Sequence, residues 1–472
     1  MKKYIFSCLI MLGGIFQISA EDKGSDVWIK EPLPSGWTLD SISQNQLPST
    51  DNWWRSLGDP TLITLINMAE DNNYDLRAAV KRIEASRQTL NSARSGYFPT
   101  IGLQAGWTKE QSSGSESKET YKPYPDTYFN FGLNASWEVD LFGRIKEKTK
   151  GLTANLNVSK ADYNSAMISV CSQMATNYIV LRTYQEQLEV AMDHIDSQER
   201  VVNLTKARFE AGLVSQLDVL QAQMVLQSTK ALVPGLKKSI STTLNAIATL
   251  CGIYPDQLPS EVRVHGSIPE SSAFTELGVP ADMIRRRPDI IEAQYNLEVL
   301  ASQVGIAKKD YLPSLTINGS ISSSSHKLNG LFTENSLNYS ISPQLSWTVF
   351  DGLDRKYAVA EAKANLQAAV DSYNQTVISA IQDVNNCLLR YDSLNEEIEL
   401  DKEVCDVSFK TLDLAVERYK LGLSDFTNVA NAQMSVLTNI NSLISARSNA
   451  LTTLVSLYKA LGGGWEVPAV SE

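Results

Sequence analysis

Three histidines, a few cysteines and scattered carboxylates are the side chains that could do covalent or metal chemistry, and their spacing argues against it. His194, His265 and His326 lie far apart, and no H-E-x-x-H pair, phosphate loop or G-x-S-x-G turn accompanies them. Beyond the leader-like start, Cys171, Cys251, Cys387 and Cys405 form no C-x-x-C pair. Cys387 and Cys405 fall on one expected helix, about 27 Å apart along its axis and so beyond bridging distance. They read as buried free thiols. The reading is therefore no enzyme, no cofactor and no metal site. What remains is the chemistry of placed charge. Asp218 and Asp425 each follow a glycine turn, Gly212 and Gly422, at the start of an expected helix. At Asp425 a carboxylate is favoured as the cap of the return helix.

The elements that position those turns occur twice. Trp137 matches Trp347 at an offset of 210, and the same offset carries Ala154-Asn155-Leu156 onto Ala364-Asn365-Leu366. It also carries Tyr163-Asn164 onto Tyr373-Asn374, Arg208 onto Arg418, Gly212-Leu213 onto Gly422-Leu423, and Ala222-Gln223-Met224 onto Ala432-Gln433-Met434. Upstream, Tyr97-Phe98-Pro99 matches Tyr311-Leu312-Pro313 at an offset of 214. The extra four residues belong in a loop, residues 110–122, facing 322–335 in the second copy.

Each copy reads helix, two strands, very long helix, turn, helix. Asp59-Pro60 opens a helix over 62–95. Strict alternation marks strands at about 100–109 and 128–140, then 314–322 and 337–350. Leu337, Tyr339, Ile341, Pro343, Leu345, Trp347 and Val349, interleaved with Asn, Ser, Gln and Thr, form the clearest run. Taken alone, the alternation fits a sandwich half as well as a membrane strand with one face to lipid and one to a wet lumen. Four strands cannot close a membrane barrel, and an open edge cannot face lipid. Spanning strands would thus require several chains to share one barrel.

The long helices, 141–211 and 352–421, contain no proline and would each reach about 105 Å. Leu181, Leu188, Ile195, Val202 and Phe209 recur every seven residues, as do Tyr391, Ile398, Cys405, Leu412 and Tyr419. This period predicts left-handed packing against the return helices, 215–250 and 425–461. Pro234-Gly235 is expected to break and kink the first return helix only.

The gross numbers set the compartment. Lys2 and Lys3, an apolar run over 4–18 and Ser19-Ala20 read as a signal peptide, residues 1–20. The mature charge is then about -13, from a whole-chain -11. That balance argues against nucleic acid or anionic lipid as a main partner. Cys8 lies inside the apolar run and fits a lipid-anchor site poorly.

These residues resemble the outer-membrane factor family, the TolC and OprM-like efflux channels. The likeness rests on Asn52-Trp53-Trp54 with Gly58-Asp59-Pro60, Gly96-Tyr97-Phe98-Pro99, the run from Ser136-Trp137 to Phe142-Gly143, Arg208-Phe209-Glu210-Ala211-Gly212 and Arg286-Arg287-Pro288-Asp289. The resemblance implies a mainly α fold with a small β part, assembled as a homotrimer: a 12-stranded β-barrel in outer-membrane lipid above a 12-column α-helical periplasmic barrel. It implies two repeats, 59–252 and 279–462, with residues 21–58, 253–278 and 463–472 on an equatorial belt or tail. The implied partners are a periplasmic adaptor and an inner-membrane transporter. Arg-Pro-Asp and the double Trp resemble the branch serving RND-type pumps, although the terminal cysteine of many members is missing. The implied function is the exit duct of a tripartite efflux pump. A type I secretion duct is the alternative, and a structural periplasmic coiled coil the rival from another class.

In such a duct the hairpin tips would form the aperture. The resemblance places Tyr419, Asp425, Asn428 and Asn431 there in the second copy, and Asp218 and Gln221 in the first. Asn428 and Asn431 stand where some relatives carry Asp. Arg208 with Gly212, and Arg418 with Gly422, would anchor the hairpins.

Overall fold

A computed structural model describes residues 52–111, 126–269 and 285–463. The signal peptide, Cys8, the N-terminal segment to residue 51, most of the 110–122 loop, residues 270–278 and the tail from 464 lie outside the described residues.

The first copy runs α1 (Pro60–Asn72), α2 (Tyr74–Arg94), β1 (Thr100–Glu110), β2 (Asp126–Val139), α3 (Arg144–Glu210) and α4 (Gln216–Leu250). A short α5 (Ser260–Arg263) follows. The second copy runs α6 (Pro288–Lys309), β3 (Ser314–Ser325), β4 (Leu337–Ser346), α7 (Asp354–Lys420) and α8 (Phe426–Ala460). The long helices α3 and α7 each have 67 residues, about 100 Å of rod. No helix among the described residues is long and apolar enough to cross a membrane.

The expected helix over 62–95 is two helices. Asn73 stands between them in extended conformation, and its Oδ1 accepts from Asp75 N and Leu76 N at 2.9 and 3.1 Å. Its Nδ2 donates to Leu250 O at the end of α4, 2.8 Å away. One side chain thus starts α2 and ties it end to end with α4. In the second copy Arg287, at the upstream offset of 214 from Asn73, precedes α6 and donates to Ala460 O at the end of α8, 2.9 Å away. Each long helix is thereby flanked by a two-piece column.

Pro234 does not break α4, which is helical from Gln216 to Leu250. The proline sits on an exposed face. The carbonyl it leaves without a partner can bond water there. Val225, Leu226 and Ile247 stay buried on either side of it.

The four strands form one antiparallel sheet in the order β1-β2-β3-β4. Register aligns the alternation across it. Leu103 pairs with Leu133, Leu133 with Ile321, and Ile321 with Tyr339. The other face carries Gly102, Asn134, Ser320 and Ser340 in the same rows. Gly132 is required there, since a Cβ would come within 2.9 Å of Ile321 O and Ser322 Cα. β4 stops at Ser346 instead of running to 350, because its partner begins at Ser314, just after Pro313. Apolar side chains on the first face are open, Tyr339 and Ile341 being about 80% exposed. β1 and β4 are left as unpaired edges within one chain.

The largest core lies midway along the rods. Trp53 stacks on Tyr458 at 5.1 Å and meets Trp54 edge-on. Asp59 caps α1 and accepts a 2.5 Å bond from Tyr178 Oη. Burial and the neighbouring Asp59 push that phenol up to about 12. Arg182, 5% exposed, donates to the same Tyr178 oxygen and to the carbonyls of Glu261 and Val264, so the α5 segment is held against α3.

Candidate functional site: the hairpin tips

Both tips are built by the same local chemistry. α3 ends where Gly212 takes φ +70° and Gly212 N and Leu213 N donate back to Phe209 O and Arg208 O. α7 ends identically, with Gly422 at φ +73° and bonds to Tyr419 O and Arg418 O. Left-handed φ at this position is why glycine recurs.

The two tips of one chain are joined. Arg208 Nη1 donates to Tyr419 O and Lys420 O, both at 2.9 Å, covering the last carbonyls of α7. Its guanidinium lies 5.0 Å from the Tyr419 ring centroid. Tyr419 Oη donates to Asp218 Oδ2 at 3.3 Å, and the ring meets Phe426 edge-on at 5.3 Å. Gln221 Nε2 donates to Thr427 Oγ1 at 3.3 Å. Tyr419 is 4% exposed and belongs to a small core with Ile195, Val202, Val225 and Phe426. Burial, the first cause, and the Asp218 carboxylate raise its phenol above the ordinary value, so it stays a proton donor.

The structure therefore brings together Arg208, Asp218, Gln221 and Tyr419. Asp425, Asn428 and Asn431 stand apart from them on the exposed side of α8. Asp425 occupies the N-cap position, yet its side chain makes no capping bond. Asn428 donates to Ser424 Oγ at 2.9 Å. Asn428 and Asn431 also line a groove of about 680 Å³ between α7 and α8, with Leu400, Val404 and Val407. Arg418 is exposed, and among the described residues its side chain has no hydrogen bond or ion pair.

Phe426 and Thr427 were missed by the sequence reading. Phe426 carried a signal: an aromatic beside the glycine turn where the first copy has Gln216. Among the described residues no cluster of His, Cys, Asp and Glu could hold a metal ion.

The outer membrane efflux protein model matches residues 65–253 and 279–463, one segment per copy. The chain belongs to that family. This efflux protein is similar to nodulation protein T of Rhizobium leguminosarum bv. trifolii, with 28% identity over 92% of each chain. It is also 28% identical to the toluene efflux pump outer membrane protein TtgI of Pseudomonas putida, over 97% of both chains. Among solved structures it resembles the outer-membrane channel OprN, with TM-score 0.85 and 26% identity over 92% of this chain and 98% of that one. The efflux protein is thus a transport duct of the outer membrane, not an enzyme, and its helical part extends into the periplasm.

Proposed function

We propose that three copies of the chain close one 12-stranded barrel in the outer membrane and form the exit duct of a tripartite efflux pump. The observation that carries this is the sheet. Its apolar face is exposed in register across all four strands while both edge strands lack a neighbour. In lipid an open edge leaves backbone groups unsatisfied, and only closure removes the edges. Three sheets of four strands give an even, antiparallel barrel lined by Asn, Ser, Gly and Gln.

The hairpin tips form the periplasmic aperture in this reading. The +210 correspondence supports a second joint between chains. Arg418 would cover the α3 end of the partner subunit as Arg208 covers the α7 end of its own chain. Asp425, three times at close range, would attract cations at the constriction. The partners are a periplasmic adaptor and an RND-type inner-membrane transporter. The described residues flanking the helical columns, 52–58 and 253–269, form part of the belt.

The test is assembly and conduction together. Protein purified in detergent and cross-linked should give a ladder that stops at three copies. The same trimer should form ion-conducting pores in planar bilayers. A ladder ending at one or two, or a trimer that never conducts, overturns the proposal.

A further inference from the structure

The net charge of -11 points away from anionic partners, but the start of α3 reverses it. Residues 144–161 hold Arg144, Lys146, Lys148, Lys150 and Lys160 against Glu147 alone. Glu147 is already paired with Lys309 at 3.2 Å. Lys146, Lys148 and Lys150 are exposed, and among the described residues none of them has an ion pair.

Which way these lysines point follows from helix geometry. Arg144 reaches Glu138 at 3.3 Å, and Glu138 pairs with Thr316 in the rows of the sheet's polar face. Arg144 therefore marks the lumen side of α3. Lys148 is about 40° round from it and shares that side. Lys146 and Lys150 are about 200° and 240° round, on the side of the apolar face. Lys356 repeats Lys146 at the 210 offset and is also exposed.

The depth is equally defined. Trp137 and Trp347 lie at the helix-proximal end of the apolar face, and each indole N–H donates at 3.0 Å to a backbone carbonyl, of Tyr97 and of Tyr311. Amphipathic rings in that place mark the membrane interface. Lys146 and Lys150 sit about 3 and 9 Å along α3 from its first residue. The headgroup layer is about 5 to 7 Å deep on each side of the bilayer, so Lys146 lies within it and Lys150, just below, reaches it along its flexible stem.

We infer that Lys146, Lys150 and Lys356 form a collar that binds the phosphodiester headgroups of anionic phospholipids in the periplasmic leaflet. This rests on the reading that the sheet spans the outer membrane. Arg144 and Lys148, the other exposed basic residues of 144–161, share the lumen side and take no part. Each amine near an anionic surface favours it about fivefold.

Full-length protein is reconstituted into vesicles of phosphatidylcholine containing either dibrominated phosphatidylcholine or dibrominated phosphatidylglycerol. Quenching of the interfacial tryptophans gives the relative association constant of the two lipids. The expected preference for phosphatidylglycerol is about fivefold or more. It should fall to near one in the Lys146→Gln/Lys150→Gln/Lys356→Gln variant and persist in Lys148→Gln. Replacing chloride by inorganic phosphate at constant ionic strength should leave it intact. No preference in the unmodified protein, a preference surviving the triple variant, its loss in Lys148→Gln, or its displacement by phosphate would each overturn the collar. Absence of quenching by either lipid would instead overturn the membrane-spanning sheet.

Discussion

Closure of the duct should depend on the joint between the two tips of one chain, and its strength can be ranked bond by bond. Arg208→Ala removes two cation-to-carbonyl bonds of 2.9 Å at the end of α7. It also removes the guanidinium stacked 5.0 Å from the Tyr419 centroid. Bonds to a charged group contribute roughly 1.5 to 3 kcal/mol each when buried, and the stack about 0.5 to 1. Lys420 is exposed, so about 3 kcal/mol is a fair total, a factor of about 150 in the closed-to-open ratio per chain. Tyr419→Phe keeps the ring on Phe426 and loses the hydroxyl's 3.3 Å bond to Asp218 and its contact with Thr205. At that length the loss is about 1 kcal/mol, a factor of about five. If the three tips part together, the factors multiply. Tyr419→Phe then shifts the ratio by about two orders of magnitude, while Arg208→Ala holds the pore open throughout. Open probability of single trimers in planar bilayers reads this directly. Unchanged gating in Arg208→Ala, or a larger effect from Tyr419→Phe than from Arg208→Ala, would refute the ranking and the joint.

Asp425→Asn should lower cation-over-anion selectivity, read as reversal potential in a salt gradient, and leave open probability unchanged, since its side chain makes no capping bond. Phe209→Tyr with Asn428→Asp recreates the Tyr419–Asp218 pair between the first-copy tip of one chain and the second-copy tip of the next, and should lower open probability if the tips of adjacent chains meet by the same geometry. Glu292 is raised from 4.5 to about 6, by burial first and then by the Asp162 carboxylate. A raised acid stabilises the fold at low pH and loses that contribution as pH climbs through about 6. The gap is worth at most about 2 kcal/mol and about 1 after screening at a half-exposed site. Glu292→Gln should therefore melt about 1 °C higher than the unmodified protein at pH 8 and no higher at pH 4. Asn73→Ala removes an N-cap and the bond to Leu250, and should cost about 2 kcal/mol. Asn73→Ser keeps the cap and should cost about half as much, both read as loss of the heat-resistant oligomer on gels.

Much of this fold was legible because its signals are long. A seven-residue thread through Leu181, Ile195 and Val202 predicts a packed rod, and all three are buried. The thread fails at its end, where Phe209 is 43% exposed although Tyr419, its counterpart, is buried. A single chain supplies a neighbour for only one of the two tips. Junctions were less legible than rods. Asn73 reads as one polar residue in a helical run, and its second role, reaching the end of α4, is set by a contact 177 positions away in sequence. Pro234 misled in the other direction. Helix propensity counts the lost N–H, but it does not count the buried residues of α4 that hold the helix in place across it. The aperture residues divided along the same line. Arg208 and Tyr419 were visible through the repeat. That Asp425 stands clear of the Arg208–Tyr419 cluster depends on which face of α8 packs against α3 and α7.

The two halves are similar enough to build equal rods and different enough to make unequal joints. At the tip inside one chain, an arginine covers a helix end, a phenol is buried under it and a carboxylate accepts the phenol's hydrogen bond. The +210 counterparts of Tyr419 and Asp218 are Phe209 and Asn428, which can supply neither the hydroxyl nor the charge. Only the arginine is kept, as Arg418. A joint between chains built from those three residues would hold by cation–π contact and carbonyl bonds alone, and would be the weaker of the two by the phenol–carboxylate bond. The closed end would then have strong joints within chains and weak ones between them. Full opening would part both kinds, the joints between chains first and the Arg208–Tyr419 joint within each chain last, so the stronger joint still sets the closed-to-open ratio.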